Sequence, residues 1–306
     1  MEDKIINEEY ISEFYDFLCD EEKSDNTIEK YMRDVRAFRE WCERRAAACC
    51  RREEEQSQSR RAGACSCRIM NCTKETVIAY KNHLIEKGYA ERSINSMLCS
   101  VNAFLDFSGL SDCKVKLLKM QRDIFCKENK ELTQKEYKRL CNTALLSGNK
   151  RLYMLLQTLC GTGIRVSELK FVTVEAVKNG EAVVTLKGKT RTVFFVKKLR
   201  KMLIAYAKEN GIKSGQIFVT KTGKPLNRTN IWKEMKNLCR KAKVKESKVF
   251  PHNLRHLFAK MFYAVKKDIA KLADVLGHSS IETTRLYIIT SGSEHRRIME
   301  NMKLVC

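Results

Sequence analysis

The stretch LGHSSIETTRLY, residues 276–287, predicts the end of one helix and the start of the next. Gly277 follows a helical stripe of apolar residues, and glycine readily adopts the left-handed conformation in which helices often end. Ser279 and the glutamate three residues later have the spacing of a capping box, which predicts a new helix there. His278 would then lie in a helical corner, and Tyr287 would lie on the second helix. Taken alone, these residues are explained as well by an ordinary helical hairpin as by a functional site.

The remainder of the chain is predicted to be mainly helical, with one β signal. Residues 181–196, EAVVTLKGKTRTVFFV, contain two runs of β-branched and aromatic residues on either side of a short polar turn, a pattern typical of a β-hairpin. Apolar residues at helical spacing dominate elsewhere, and only two prolines interrupt them. The predicted fold class is therefore mainly α with a small β-hairpin, that is, α+β.

The spacing of the helical patterns predicts two domains. Residues 1–110 contain four helical patterns with short links, which predicts an N-terminal helical bundle, and residues 131–306 form a second domain. Residues 111–130 lose the apolar pattern and gain lysines, as a linker would. Residues 43–72 show no periodicity and are expected to form an irregular insertion in the first domain. Their cysteines include no CxxC pair, which argues against a zinc site.

The charge of the chain points to a polyanionic partner. Lys and Arg total 59 against 37 Asp and Glu, a formal net charge of +22. This balance favours nucleic acid first and an acidic membrane surface second. No apolar stretch approaches the roughly 20 residues that span a bilayer, and the acidic N-terminus does not resemble a signal peptide. A soluble cytoplasmic protein with reduced thiols is expected, and no membrane partner.

Two pairs of charged side chains stand out in the second domain. His252 and Arg255 are one helical turn apart, where the arginine fork can hold two phosphate oxygens and the histidine can move a proton near neutral pH. Arg165 follows two glycines, and Glu168 lies one turn further on. An ordinary intrahelical ion pair also explains Arg165 and Glu168 when they are considered alone.

The hairpin adds lysines to this set. Lys187 and Lys189 flank the predicted turn, where a flexible ammonium group could reach into a groove, although a solvated turn would look the same. Two arginines, a lysine, two histidines and a tyrosine, in a basic chain without clusters of acidic metal ligands, compose a metal-free site for phosphoryl transfer. Neither a metal nor another cofactor is expected.

Three motifs in this order resemble the signature boxes of one known family. TGIRVSEL, HNLRH and LGHSSIETTRLY are similar to the boxes of the tyrosine recombinases, also called phage integrases. SDNTIEKYMRDVRAFREW and SINSMLCSVNAFLDF resemble the N-terminal core-binding domain of the family, and ELTQKEYKRL resembles the entry to its catalytic domain. Apart from residues 43–72, the resemblance covers nearly the whole chain.

The resemblance implies a role for each residue that would hold the phosphate. Arg165 and Arg255 would clamp the nonbridging oxygens of the scissile phosphate. Glu168 would hold Arg165 in place, and His278 would hydrogen-bond the phosphate.

The resemblance also implies the residues that make and break bonds. Tyr287 would attack the phosphate, which forms a 3′-phosphotyrosine and frees a 5′-hydroxyl. His252 would assist proton transfer at the nucleophile, and Lys187 would protonate the departing 5′ oxygen. The turn KGKTR is tighter than the usual lysine turn of the family, so Lys189 is the alternative acid.

The implied partner is a double-stranded DNA recombination site, bound by a homotetramer on two duplexes. The expected role is the integration or excision of a mobile element. The alternatives are a recombinase that resolves chromosome multimers, a recombinase-like protein that binds DNA without efficient strand exchange, and a type IB topoisomerase-like enzyme.

Overall fold

The computed structural model describes residues 8–56, 72–120, 131–186, 188–220, 222–288 and 299–302. The chain divides into two compact units, Met1–Arg122 and Asp123–Cys306. The fold is mainly helical with a single described hairpin, which confirms the predicted class. Among the described residues, no helix combines the length and the apolar character that a bilayer crossing requires.

The first unit is a helical bundle. Its elements are α1 (Glu8–Asp20), α2 (Asp25–Gln56), α3 (Lys74–Glu86), α4 (Glu91–Phe107) and a 3₁₀ turn at Ser111–Cys113. Its core is apolar and includes Phe14, Phe38 and Phe104, none of which is exposed. A buried carboxylate, Asp34, ties α2 to α4, because it accepts a hydrogen bond of 3.0 Å from the hydroxyl of Ser100.

The expected irregular insertion at 43–72 is wrong for its first half, since α2 continues to Gln56. The segment ERRAAACCRREEEQ is rich in alanine, arginine and glutamate, which are strong helix formers. It lacks apolar periodicity, and that absence suggested irregular structure. An established helix extends on propensity alone, since elongation is much easier than nucleation. Residues 57–71 lie outside the described residues.

The first ten residues of the predicted linker pack on the first unit. Two asparagines of α4 each bind the backbone C=O and N–H of one residue of this segment: Asn102 those of Val115, at 2.9 and 3.1 Å, and Asn95 those of Leu118, at 2.9 and 2.7 Å. A side-chain amide offers the same donor and acceptor as a peptide group, so it can bind an extended chain as a neighbouring strand would. The lysine-rich sequence of the segment predicts a solvated linker and gives no indication of this packing.

The second unit contains the remaining elements. They are α5 (Gln134–Leu146), α6 (Lys150–Thr162), a 3₁₀ turn (Val166–Phe171), α7 (Val174–Asn179), β1 (Glu181–Leu186), β2 (Lys189–Phe194), α8 (Lys197–Glu209), α9 (Arg228–Ala242), a 3₁₀ turn (Glu246–Lys248), α10 (Pro251–Lys266), α11 (Ile269–Leu276) and α12 (Ile281–Ile288). Thr133 and Glu136 form a capping box at the start of α5. By contrast, α12 begins at Ile281, one residue later than a capping box on Ser279 requires.

The hairpin is antiparallel and has one face in the core. Val184 pairs with Arg191 across the two strands. Ala182, Val184 and Val193 are almost fully buried on the inner face. Because side chains alternate along a strand, Arg191 shares that inner face with Val193.

Two glycines make the turns that precede Arg165 and His278. Gly163 ends α6 and Gly277 ends α11, both in the left-handed region with φ of +63°. A Cβ at Gly163 would lie 2.4 Å from the ring of Phe258, and a Cβ at Gly277 would lie 2.2 Å from Cδ of Arg191. Each glycine therefore serves both the turn and the close packing of another side chain.

Candidate active site

Three arginines from separate segments of the chain meet the C-terminal turn of α11, and we call Arg165, Arg191 and Arg255 the arginine row. Their guanidinium groups donate to three consecutive carbonyl oxygens, at 2.6 Å from Arg191 to Val275, 2.6 Å from Arg255 to Leu276 and 3.4 Å from Arg165 to Gly277. The last carbonyl groups of a helix have no partner within the helix and carry partial negative charge. The turn therefore holds three cations side by side.

Arg255 is the buried member of the row. Only 1% of this residue is exposed, and its Nη1 donates to the carbonyl oxygen of Gly163 at 2.5 Å. Burial, and next the charge of Arg165, lower the pKa of Arg255 to about 10. The guanidinium remains protonated at neutral pH, so the site retains a fixed positive charge away from bulk water.

Arg165 and Arg191 share one buried carboxylate, that of Glu168. Oε1 accepts from Nη1 of Arg165 at 2.7 Å, and Oε2 accepts from the backbone N–H of Arg165 at 2.8 Å and from Nη2 of Arg191 at 2.6 Å. Burial alone would raise the pKa of Glu168, but the hydrogen bonds from the Arg165 backbone and from both guanidinium groups outweigh it and lower the pKa. The side chain of Arg165 remains 39% exposed, so an anion from solvent can reach it.

His278 lies against the arginine row as a neutral ring. Its Nε2 is 3.0 Å from Nη2 of Arg255, and its Nδ1 is 2.9 Å from Oγ1 of the buried Thr284. A guanidinium group only donates, so Nε2 is the acceptor and Nδ1 carries the proton. Burial, then the charges of Arg255, Arg165 and Arg191, lower the pKa of His278 to about 4.

Tyr287 is surrounded by imidazole rings. The ring of His256 stacks on it at 4.1 Å, and those of His278 and His252 lie 5.1 and 5.4 Å away. Its hydroxyl lies 3.4 Å from Nε2 of His252, and the residue is 7% exposed. Partial burial and then the charges of Arg255, Arg165 and Arg228 lower the pKa of His252, so its ring is neutral and can accept a proton at neutral pH.

Six of the residues singled out in the sequence thus come together: Arg165, Glu168, His252, Arg255, His278 and Tyr287. The two hairpin lysines are a different case. Lys187 lies outside the described residues, and of Lys189 only the backbone, in β2, is described.

The sequence reasoning missed Arg191 as a site residue. A signal was present: within the strand pattern RTVFF, Arg191 alternates with Val193 and Phe195, both of which are buried. An arginine on the inner face of a strand requires a buried partner. It finds one in Glu168, and its own side chain is 9% exposed.

A basic cleft opens beside the arginine row. Its volume is about 570 Å³, and its lining includes Arg165, Arg255 and His252 together with Arg228 and Trp232. This lining combines several cations with exposed aromatic surface. The cleft is suited to an extended anion with flat apolar parts.

We expect the free energy of unfolding to fall as the pH is lowered from 7 to 5, in part because of His256. Burial, followed by the charge of His252, lowers its pKa from 6.5 to about 4. In the unfolded chain His256 binds a proton below about pH 6.5, and in the folded chain it does so only below about pH 4. The contribution of neutral His256 to stability is therefore complete above about pH 6.5 and is lost as the pH falls toward 4. By pH 5 the loss is on the order of 2 kcal/mol.

Urea unfolding at pH 7 and pH 5 measures this effect. His256→Phe keeps a ring against Tyr287 and removes the titrating group. The variant should lose less stability between the two pH values than the wild-type protein, and an identical loss would contradict the assignment to His256.

Comparisons with known proteins identify the family of the chain. The phage integrase family matches residues 130–293, more than half of the chain. The chain is 28% identical to the tyrosine recombinase XerA of Thermococcus kodakarensis, over 97% of this chain and 96% of the relative.

Two solved structures have a similar fold. XerH recombinase bound to palindromic difH substrate, in a post-cleavage complex, has a TM-score of 0.69 at 16% identity, over 89% of this chain and 78% of that one. A lambda integrase dimer bound to a COC′ core site has a TM-score of 0.65 at 16% identity, over 94% and 96%. The chain belongs to the phage integrase family and is a tyrosine recombinase, an enzyme that breaks and rejoins DNA strands.

Proposed function

We propose that this protein is a site-specific DNA recombinase that works through a 3′-phosphotyrosine intermediate. The observation that carries the proposal is the position of Tyr287. Its hydroxyl faces a neutral His252, and the neighbouring His278 lies against Arg255. A nucleophile, a proton acceptor and fixed positive charge therefore share one site.

The residues divide the cleavage step among them. The Tyr287 oxygen forms a bond to phosphorus as the bond from phosphorus to the 5′ oxygen breaks, and the phenolic proton passes to Nε2 of His252. Arg165 and Arg255 bind the nonbridging oxygens, whose charge grows in the transition state. A 5′-hydroxyl from another strand then attacks the phosphotyrosine, so rejoining needs no external energy source.

His278 supplies a further contact to the phosphate. In the DNA-free arrangement its Nε2 accepts from Arg255. When a phosphate takes up that N–H of Arg255, Nε2 is released, and the negative charge favours the protonated imidazole, which can donate to an oxygen.

The proposed partner is a double-stranded DNA recombination site in the cytoplasm. The net charge of +22 suits the phosphate backbone. We propose that residues 1–110 form a DNA core-binding domain and that residues 131–306 form the catalytic domain. Strand exchange between two duplexes requires two cleavages in each duplex. With one Tyr287 per subunit, the proposed active form is therefore a homotetramer.

A nicked suicide substrate tests the proposal. A nick close to the cleavage site lets the short 5′-hydroxyl fragment diffuse away, which prevents rejoining and traps the covalent complex. We expect a protein–DNA adduct that survives denaturation and is removed by protease. A protein that only binds DNA would give a shifted band in a native gel and no adduct.

The proposed biological role is the integration and excision of a mobile element, in keeping with the family match over residues 130–293. Sequencing the junctions that the protein makes in cells tests this role. Junctions between element ends and flanking host DNA would support it. Junctions confined to two copies of one host site would assign the enzyme to the resolution of multimers.

We propose Lys187 as the general acid, with Lys189 as the alternative, and a bridging sulfur tests the assignment. Lys187→Ala should be almost inactive on an ordinary phosphodiester, because the 5′ oxygen then leaves without a proton. A substrate with sulfur at the bridging 5′ position needs no proton to leave, so it should restore cleavage by this variant.

Lys189→Ala is the matched control in the same hairpin. Rescue confined to Lys189→Ala would move the acid to that residue. Rescue of neither variant would remove the hairpin lysines from the mechanism.

A further inference from the structure

Arg191 is the member of the arginine row that has no part in the bond-making steps above. Its guanidinium donates to Oε2 of Glu168 and to the carbonyl oxygen of Val275, both at 2.6 Å. Its Cδ fills the space in which a side chain at Gly277 would lie. Arg191 therefore connects the hairpin with the motif around Arg165 and with the turn that precedes His278.

We propose that Arg191 is a positioning residue for strand cleavage, which keeps Arg165 and His278 aimed at the scissile phosphate without touching the DNA itself. The inference rests on the proposed function, since it concerns the same reaction. Arg165 and Arg255 line the basic cleft and Arg191 is not among its lining residues, so Arg191 lacks their access to a phosphate.

The first contact concerns the charge of Glu168. This carboxylate is 1% exposed and ionised, and it is shared by Arg165 and Arg191. Without Arg191, its sole guanidinium partner among the described residues would be Arg165, whose charge would then be largely cancelled. With Arg191 in place, three guanidinium charges face one carboxylate. The surplus is available for the negative charge that grows on phosphate oxygens in the transition state.

The second contact concerns the end of α11. The bond to Val275 fixes β2 to the last turn of this helix, and His278 follows three residues later. Arginine can make both contacts because its planar fork offers two separate nitrogens. A lysine carries all of its N–H groups on one nitrogen, so it cannot place donors at both of the positions that Nη1 and Nη2 occupy. Arg191→Lys therefore retains the charge and loses the two-point anchoring.

The test compares variants of the full-length protein on the nicked substrate at saturating DNA. We expect single-turnover cleavage to slow by about tenfold in Arg191→Lys and by about 100-fold in Arg191→Ala, by analogy with the loss of a transition-state donor. DNA affinity should stay within about threefold, because Arg191, unlike Arg165 and Arg255, is not among the residues that line the basic cleft.

Two further readouts separate positioning from a merely structural role. If Arg191 acts in part through Arg165, the double variant Arg165→Ala/Arg191→Ala should be slowed by less than the product of the two single defects, since coupled residues are not additive. A methylphosphonate at the scissile position lacks one nonbridging charge. It should reduce the defects of Arg191→Ala and Arg165→Ala alike, because less positive charge is then needed.

Arg151→Ala is the matched control. Arg151 is a half-buried arginine of the same unit that donates to Glu234 at 2.6 Å and to a backbone carbonyl oxygen, that of Val219. Any effect of its loss on cleavage should add to that of Arg165→Ala and should not respond to the methylphosphonate.

Several results would overturn the inference. They are normal cleavage by a folded Arg191→Ala variant, additive losses with Arg165→Ala, and defects that the methylphosphonate leaves unchanged. Failure of both Arg191 variants to fold would likewise assign the residue to folding alone. A wild-type protein that forms no adduct would instead refute the proposed function, so the two failures are distinguishable.

Discussion

Replacing Tyr287 with phenylalanine is expected to abolish covalent attachment to DNA and to leave DNA binding intact. The change removes only the phenolic oxygen, whose nearest partner, Nε2 of His252, is 3.4 Å away. The ring remains stacked on His256, and the arginine row keeps its contacts with the end of α11. Stability should therefore change little, while cleavage loses its nucleophile.

The measurement pairs a denaturing gel of the nicked substrate with a native gel shift. Tyr263→Phe is the matched control, because Tyr263 packs against the same small cluster as Tyr287 and loses the same atom. It should form the adduct at the wild-type rate. An adduct formed by Tyr287→Phe would show that another residue is the nucleophile.

Removing either clamp arginine should have the next largest effect. Arg165→Ala and Arg255→Ala are each expected to slow cleavage by about 100- to 1000-fold, the range for the loss of one preorganised donor to a developing oxyanion. The two variants should differ in stability. Arg165 is partly exposed, whereas Arg255 is buried and binds the carbonyl oxygens of Gly163 and Leu276, so Arg255→Ala should also lower the melting temperature.

Arg200→Ala is the matched control. It removes an arginine that binds carbonyl oxygens at the end of a helix and that is not proposed to bind phosphate. Arg200 donates to the carbonyl oxygens of Val177 and Lys178 at the end of α7. It should reduce stability and leave the cleavage rate of the folded protein unchanged. Near-normal cleavage by Arg165→Ala or Arg255→Ala would exclude that arginine from the clamp.

The local parts of this site were accessible from the sequence. Gly277 marked the end of α11, and the one-turn spacing of His252 and Arg255 put both on one face of α10. The pair Arg165–Glu168 was visible as an i, i+3 pattern. Each of these inferences needs only the geometry of a helix or a turn, which acts over a few residues.

The long-range parts were not accessible. Arg191 and Val275 are 84 residues apart in the sequence, and no periodicity links a strand to the end of a distant helix. The same limit applies to residues 111–120, where two asparagines of α4 hold a chain that looks like a linker. Segment 43–56 was misread for the opposite reason, because intrinsic propensity extends α2 without an apolar stripe.

The packing of Arg191 over Gly277 has a consequence for how members of this family can diverge. The Arg191 side chain fills the space beside residue 277. Side chains at these two positions, which are 86 residues apart in the numbering, would therefore occupy the same space. A larger residue at 277 would have to displace that arginine and also adopt a left-handed backbone. A smaller residue at 191 would open a gap that glycine cannot fill. The two positions are therefore expected to change as a pair across related sequences, so covariation between them would record this contact.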